Sequence, residues 1–397
     1  MDIVIIAQYL RDIETFENNN SRFVYLAKML ATDSTNKVEI ITSDFSHGKK
    51  QHFADVGKLT GIKVTALHES GYPKNVCLKR FASHKELAKN VSIYLNNREK
   101  PDVIYVAVPS LAVADVCADY CKRNDVRFIV DIQDLWPEAF KMVVNIPVVS
   151  DIGFYPMQKQ ANRIYSAADQ IVAVSETYAM RGMMVNKKCK APIVAYLGTE
   201  KNNFDRYAQR IERNRDEIII AYIGSLGSSY DLETVIDAIA RIITPVKLLV
   251  MGDGAYRKRF EDYAHEKGII AEFTGSLSYP EMVKRLVNSD IAVNPIHKGS
   301  AGSIINKVND YAMAGLPVVN TQESREYRKL LEQYGAGINC ECENSDDVYD
   351  ALMRLIENDQ IRINMGKNSR MLGEEKIDRA ESYKQILCEL CGENNER

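Results

Sequence analysis

The sequence predicts an α/β protein of two Rossmann-like domains whose parallel sheets face each other across a deep cleft. Three observations predict it. Short β-branched apolar runs alternate with longer helical patterns along the chain, which is the signature of βαβ units. The series pauses in a polar, arginine-bearing stretch near residue 200 and then begins afresh. The length, 397 residues, is about twice that of a typical single domain.

In the first half the runs are IVIIA, VEIITSDF, KVTALHES, DVIYVAVPS and RFIVDIQD, followed by QIVAVSE and PIVAYLG. They are apolar on both faces, as strands covered by helices on both sides must be. Helical patterns at 22–31 and 86–97 lie between them. The opening MDIVIIAQYLRDIE has no basic leader and meets acid almost at once, so it reads as a first strand and not a signal peptide. Residues 200–217 carry Arg206, Arg210, Arg213 and Arg215 and read as a linker with one solvated helix. The second series is EIIIAYIGSL, VKLLVMGDG, IAEFTGSL, DIAVNPI, PVVNT and AGINCE. Lys376–Leu390 is helical and mostly polar. The expected divisions are an N-terminal domain over 1–200, a C-terminal domain over 201–375, and a terminal helix over 376–397 that packs back toward the N-terminal domain.

Composition narrows the function. The chain is 46% hydrophobic and 26% charged, with a net charge of −3, so nothing in it favours nucleic acid as a partner. No run approaches the roughly 18–20 apolar residues of a membrane span. The expected location is cytoplasmic. Peripheral contact with the inner membrane would run through Lys49, Lys50, Lys74, Lys79 and Arg80. The eight scattered cysteines, Cys388 and Cys391 included, read as free thiols of a reducing compartment.

In open parallel sheets, ligands bind beyond the carboxyl ends of the strands, so the loops leaving each strand carry the chemistry. Gly224, Ser225, Leu226 and Gly227 lead from EIIIAYI into a helix over 231–240. Glycines there let backbone approach a ligand and small hydroxyls donate to phosphate, although a plain tight turn fits as well. The loop is neither a G-x-G-x-x-G nor a P-loop motif. Gly252, Asp253 and Gly254 precede a helix bearing Lys258, and Gly275, Ser276 and Leu277 follow IAEFT; both are also common βα turns.

The richest stretch is NKVNDYAMAGLPVV, residues 306–319. Ser303, in SAGS, precedes a helix that opens with Asn306 and Lys307. The free N–H groups of a first turn and the helix dipole suit a phosphate or diphosphate. Asp310 lies on the same face and suits the hydroxyls of a ribose. Together they describe a nucleoside diphosphate site. The competing reading is an amphipathic helix with a Lys307–Asp310 surface ion pair.

That stretch resembles the NKxxEYMAAGxPVV segment of group 1 glycosyltransferases (family GT4, fold GT-B). It is most similar to the bacterial subgroup that builds capsules, O-antigens and exopolysaccharides. VDIQDLWPE, AADQIVAVSE, YLGTEKNNF, YIGSLGSSYDLETVIDA, VMGDGAYRKRFEDYA and FTGSLSYPEMVKRLVNSDIAVNPI match in order, so the resemblance spans nearly the whole chain. It implies a retaining, metal-independent transfer with no cofactor. The donor would be a nucleotide sugar, UDP-linked, held by the C-terminal domain. The acceptor would be a saccharide on a polyprenyl diphosphate, held by the N-terminal domain, in surface-polysaccharide synthesis.

The resemblance puts the ribose-binding acid on Asp310. It also marks departures. An earlier family glutamate falls on Gly302, and a usual arginine and lysine fall on Ser225 and Tyr230. Lys258, Lys298 and Lys307 are the candidate replacements, Lys307 first. A frequent histidine falls on Gln133, next to Asp134, which either orients the acceptor or caps a turn. Asn20, Ser21 and Arg22 stand where the family has a glycine-rich acceptor loop, and they also fit an N-capped helix. His47, in SDFSHGKK after the second strand, either faces the acceptor or sits in a solvated loop. The implied catalytic residues are Lys307, Asp310, Gln133 and Asp134. Two other functions share the expected fold: a nucleotide-sugar 2-epimerase and a non-catalytic sugar-nucleotide-binding protein.

Overall fold

Strands and helices alternate through the chain as the periodicity predicts. The computed structural model describes residues 1–397 except 17–18, 20, 76, 139–146, 212–216, 301–305 and 393–397, and only the backbone of 147–152. The chain divides into two units, Met1–Ala195 with Tyr383–Arg397, and Tyr196–Ser382.

Unit 1 begins with β1 (Asp2–Ile6), α1 (Arg22–Leu30), β2 (Lys37–Ser43), β3 (Phe45–Ser46), β4 (Gln51–His52), β5 (Ile62–Leu67) and α2 (Leu78–Asn97). It continues with β6 (Val103–Val108), α3 (Leu111–Asn124), β7 (Arg127–Ile132), α4 (Pro147–Ala167), β8 (Gln170–Ala173), α5 (Glu176–Met183) and β9 (Ile193–Val194). Seven strands form one parallel sheet in the order β5-β2-β1-β6-β7-β8-β9, and β3 and β4 form a short antiparallel ribbon. Alternate residues of β1 feed two separate cores. Val4 and Ile6 pack on one face with Ile104 and Val130, and Ile3 and Ile5 on the other with Tyr105 and Ile129.

Unit 2 begins with α6 (Lys201–Tyr207), β10 (Ile218–Ile223), α7 (Leu232–Ile239), β11 (Val246–Met251), α8 (Arg257–Glu266) and β12 (Ile270–Gly275). It continues with α9 (Tyr279–Leu286), β13 (Ile291–Asn294), α10 (Lys307–Ala314), β14 (Val318–Asn320), α11 (Arg325–Tyr334), β15 (Gly337–Asn339), α12 (Ser345–Ile356) and α13 (Asp359–Leu372). Its sheet is parallel throughout, in the order β12-β11-β10-β13-β14-β15.

Two expectations about helices are corrected. The pattern at 86–97 is only the last part of α2, which starts at Leu78; its first turns bury the polar Arg80, Ser83 and His84, so no apolar stripe announced them. The expected helix over 376–390 is broken into a π-turn at Gly373–Ile377 and two short helices, α14 (Arg379–Ser382) and α15 (Lys384–Cys391). Ile386 and Leu390 of α15 bury into a core of unit 1. All eight cysteines are free.

Arg22 and Asp131 form an ion pair with no exposed side-chain surface, at 3.0 Å. Tyr105 Oη and Gln133 Nε2 donate to the same carboxylate at 2.7 and 2.8 Å. Arg22 also donates to the carbonyl of Ala195 and lies 4.8 Å from the Tyr383 ring centroid. Removing one partner of such a pair leaves a buried charge, which costs about 3–5 kcal/mol. Arg22→Ala should lower the unfolding free energy of unit 1 by that order, read from urea denaturation. A change under about 1 kcal/mol, the size of an exposed pair, would show that water reaches Asp131.

Candidate functional site

The loops that leave the carboxyl ends of the unit 2 strands enclose a cavity of about 640 Å³. Its wall includes Gly224, Ser225 and Tyr230 after β10, Gly252 and Asp253 after β11, and Ser276 and Leu277 after β12. Asn306, Lys307 and Asp310 close it from α10. The sequence-predicted donor residues are therefore largely brought together.

Two of the glycines also let backbone meet backbone. A Cβ on Gly252 would lie 1.8 Å from the carbonyl oxygen of Gly224, and one on Gly254 2.3 Å from that of Leu226. They let the first two loops pack on each other. Leu226 is a core residue, wholly buried, and Gly227, Gly254 and Gly275 are not among the lining residues. Leu226 and Gly254 thus serve the packing of the loops, while a Cβ on Gly227 would meet nothing within 4 Å. Ser303 lies outside the described residues, as does Gly302.

Helix α10 is fixed from below. Tyr311 is buried, donates to the Val293 carbonyl at 3.1 Å and accepts from the Ile223 amide at 3.0 Å, which ties the helix to β13 and β10. At its start Asn306 is exposed and makes no side-chain cap, and the Asn309 amide donates to the Asn306 carbonyl at 3.1 Å.

Lys307 and Asp310 do not pair as a surface ion pair. Asp310 Oδ1 accepts from Thr199 Oγ1 at 3.0 Å and from Tyr279 Oη at 3.2 Å. Burial pushes its carboxyl up to about 6, against those two hydrogen bonds and the field of Arg379. Lys307 turns its amine between two rings, 4.0 Å from the Tyr222 centroid and 4.1 Å from that of Tyr230. The amine is shielded from solvent and has no hydrogen-bond partner. Burial holds it well below the ordinary lysine range. The family's missing lysine position, Tyr230, has thus become part of a holder for a different lysine.

The other proposed cations lie elsewhere. Lys258 is 84% exposed and pairs with Asp262 one turn on, at 2.9 Å. Exposed Lys298 lines a separate hollow with Glu323 and Arg328. The one beside the cavity that sequence reasoning passed over is Arg257, 3.6 Å from Asp253, with a guanidinium nitrogen 2.9 Å from where a Cβ on Gly275 would stand.

In unit 1 the expected acceptor residues are mostly structural. Asn20 lies outside the described residues. Ser21 caps α1 by accepting from the Val24 amide. Arg22 is sealed in the core and cannot meet an acceptor. Gln133 holds Asp131. Asp134 accepts from the Leu135 amide, as a turn cap would, and burial raises its carboxyl. His47, named above as facing the acceptor or solvated, and Lys50 and Arg80, named above for membrane contact, stand in one cluster with Tyr9, Tyr72, His84 and Trp136, a grouping that spacing did not reveal. Its sequence signal is two basic loops, SHGKK and YPKN, each following a strand. For a metal, one group of three possible ligands converges among the described residues: Asp44, His52 and His68, whose ligand atoms lie within 4.8 Å of one another in unit 1.

Residues 203–371 match the family model described as glycosyl transferases group 1. A curated relative, an uncharacterized glycosyltransferase (MJ1069) of Methanocaldococcus jannaschii, is 24% identical over 236 residues. That match covers 56% of this chain and 58% of the relative's length. Among solved structures, Anabaena HepE in complex with UDP superposes with a TM-score of 0.67 at 15% identity, covering 99% of this chain and 100% of that one. Sucrose-phosphate synthase from Thermosynechococcus elongatus gives 0.70 at 15%, covering 99% and 98%. The lipopolysaccharide outer core galactosyltransferase WaaB gives 0.65 at 16%, covering 99% and 100%. The segment 203–371, which makes up most of unit 2, thus matches the glycosyl transferases group 1 model, on a chain whose two parallel-sheet units superpose on solved glycosyltransferase folds of the GT-B type.

Proposed function

We propose that the protein is a retaining glycosyltransferase that moves a sugar from a UDP-sugar to a saccharide acceptor, one carried on a polyprenyl diphosphate. The setting would be surface-polysaccharide synthesis at the inner face of the cell membrane. The observation that carries the donor part is the start of α10. A helix start without a side-chain cap, a buried amine without a hydrogen-bond partner and a carboxylate one turn on all adjoin one cavity. A nucleoside diphosphate answers each of them: phosphate oxygens for the helix start and the amine, ribose hydroxyls for Asp310. The family match supports sugar transfer, and the UDP bound to Anabaena HepE supports the choice of nucleotide.

Lys307 supplies the catalytic charge in this reading. As the glycosidic bond of the donor breaks, the β-phosphate gains negative charge. A cation fixed beside it stabilises the transition state more than the ground state. In the free protein the amine rests between Tyr222 and Tyr230, where burial disfavours its charged form. An arriving diphosphate supplies a counter-ion, which favours the ammonium form and draws it toward the cavity. No metal is needed for this. The two carboxylates that line the cavity, Asp253 and Asp310, are engaged with Arg257 and with Thr199 and Tyr279.

Three measurements test the reading. With UDP-sugars and lipid-linked saccharides the chain should transfer sugar in EDTA, and NMR of the product should show the donor's anomeric configuration kept. Dependence on added Mn²⁺ would overturn the metal-free site, and conversion of the donor without acceptor would favour an epimerase.

Asp310→Ala should weaken UDP binding by about 1.5–3 kcal/mol in calorimetry. Because burial raises this carboxyl to about 6, the ionised acceptor form fills above that pH. UDP affinity should therefore fall as pH drops through about 6, and Asp310→Asn should lose this dependence. A variant that binds UDP as tightly as the parent would remove Asp310 from the site.

Lys307→Ala should lose about 10²–10³ in turnover, the usual cost of a preorganised charge. Full turnover in this variant would leave the diphosphate to backbone amides alone.

A further inference from the structure

In unit 1, Arg80 and Lys50 lie among aromatic rings with no ion-pair partner among the described residues. Arg80, at the start of α2, is buried and lies 4.5 Å from the Trp136 ring centroid, 5.5 Å from that of Tyr72 and 5.8 Å from that of Tyr9. Its hydrogen bonds go to neutral groups: Nη1 to the Asn75 carbonyl at 2.8 Å and Nη2 to Tyr9 Oη at 3.1 Å. Its Nε is buried without a partner. Lys50, in the loop after β3, sits 4.8 Å from the Tyr72 centroid, donates to Asn75 Oδ1 and lies 3.4 Å from His47 Nδ1. Among the described residues neither Arg80 nor Lys50 forms an ion pair.

The acids nearby are otherwise engaged. Glu69 is buried and receives hydrogen bonds from Gln8 and Ser83. Asp134, which feels the field of Arg80, caps its own turn and is pushed by burial toward its neutral form. Meanwhile the bases weigh on one another. Burial, then Lys50 and Arg80, push His47 down to about 4, and burial and then Arg80 lower Lys50.

Arginine cannot shed its proton, so a buried guanidinium with only neutral partners is unfavourable unless an anion completes it. Arg22 shows the alternative in the same unit: an arginine with a structural role has its carboxylate in place. The cluster is built from segments that follow the carboxyl ends of β1, β2, β5 and β7, with Arg80 and His84 in the first turns of α2, where a parallel sheet presents its ligand site. Tyr9, His47 and Lys50 remain half-exposed, so the cluster is open to a ligand. A guanidinium fork beside an ammonium matches phosphate oxygens, and the aromatic rim suits the face of a sugar.

We propose that Arg80 and Lys50, with His47, Tyr9 and Tyr72 around them, bind a phosphate group of the acceptor substrate. This rests on the transferase reading above, and it assigns the acceptor a charged handle on unit 1.

The test keeps the two readings apart by filling the donor cavity first. With UDP saturating, inorganic pyrophosphate is titrated into the protein by calorimetry. The parent should bind one further pyrophosphate. Lys50→Gln should weaken that binding about tenfold or more, the loss of one charge-assisted contact. Lys50→Arg should restore it, and neither variant should alter UDP affinity. Arg80→Gln should abolish the second binding, but its side chain is buried and its loss endangers folding. The test therefore turns on the two Lys50 variants, whose melting temperatures should match the parent. No second pyrophosphate, or equal binding by Lys50→Gln, would overturn the proposal. Loss of UDP binding in the parent would instead sink the donor reading. A lipid headgroup is the other source of phosphate. Lys50-dependent binding to phosphatidylglycerol vesicles, without binding of pyrophosphate, would move the site to the membrane surface and overturn the acceptor assignment.

Discussion

Every strand of both large sheets runs parallel to its neighbours, so each must be left at the same edge and re-entered from the other. The crossover returns as a helix, and helices cover both faces. From this follows the burial of alternate residues of β1 into two cores. From it also follows the crowding of loops at the carboxyl edge. In unit 2 that crowding is relieved by glycines, since Gly252 and Gly254 lie against the backbone of Gly224 and Leu226 with no room for a Cβ. The cavity is what remains between loops packed so closely.

The strands were legible because a strand buried on both faces is a short apolar run, and few other structures produce one. Helices were legible only where an apolar stripe marked them. The first turns of α2 bury Arg80, Ser83 and His84, and a polar core face reads in sequence like a solvent face. The helix expected at the C-terminus is interrupted by a π-turn that nothing in its mostly polar sequence signals.

The candidate site was legible at the level of faces. Spacing alone places Asn306, Lys307 and Asp310 on one side of a helix, and they do border one cavity. Spacing does not fix a long side chain's rotamer or a partner far away in sequence. Lys258 found Asp262 within its own helix, while Arg22 found Asp131 over a hundred residues on. The aromatic holder of Lys307 needs Tyr222 and Tyr230 from another strand-loop pair. Glycine-rich loops suggested a close approach to a ligand; the closeness is real, but in part it is between the loops themselves.

What separates a structural cation from a functional one here is the partner it lacks. Arg22 has a carboxylate, and the carboxylate has two further donors, so the group is complete without a ligand. Lys307 and Arg80 are also buried, but Lys307 is met by ring faces alone and Arg80 by ring faces and neutral oxygens. Ring faces stabilise a cation by less than a buried carboxylate does, yet they leave it free to accept an anion from outside. A fixed carboxylate would compete with every phosphate that arrived. Withholding the acid costs stability in the empty protein and keeps the basic group available for the ligand, and in each unit this is done on loops or helix starts beyond the carboxyl ends of the strands.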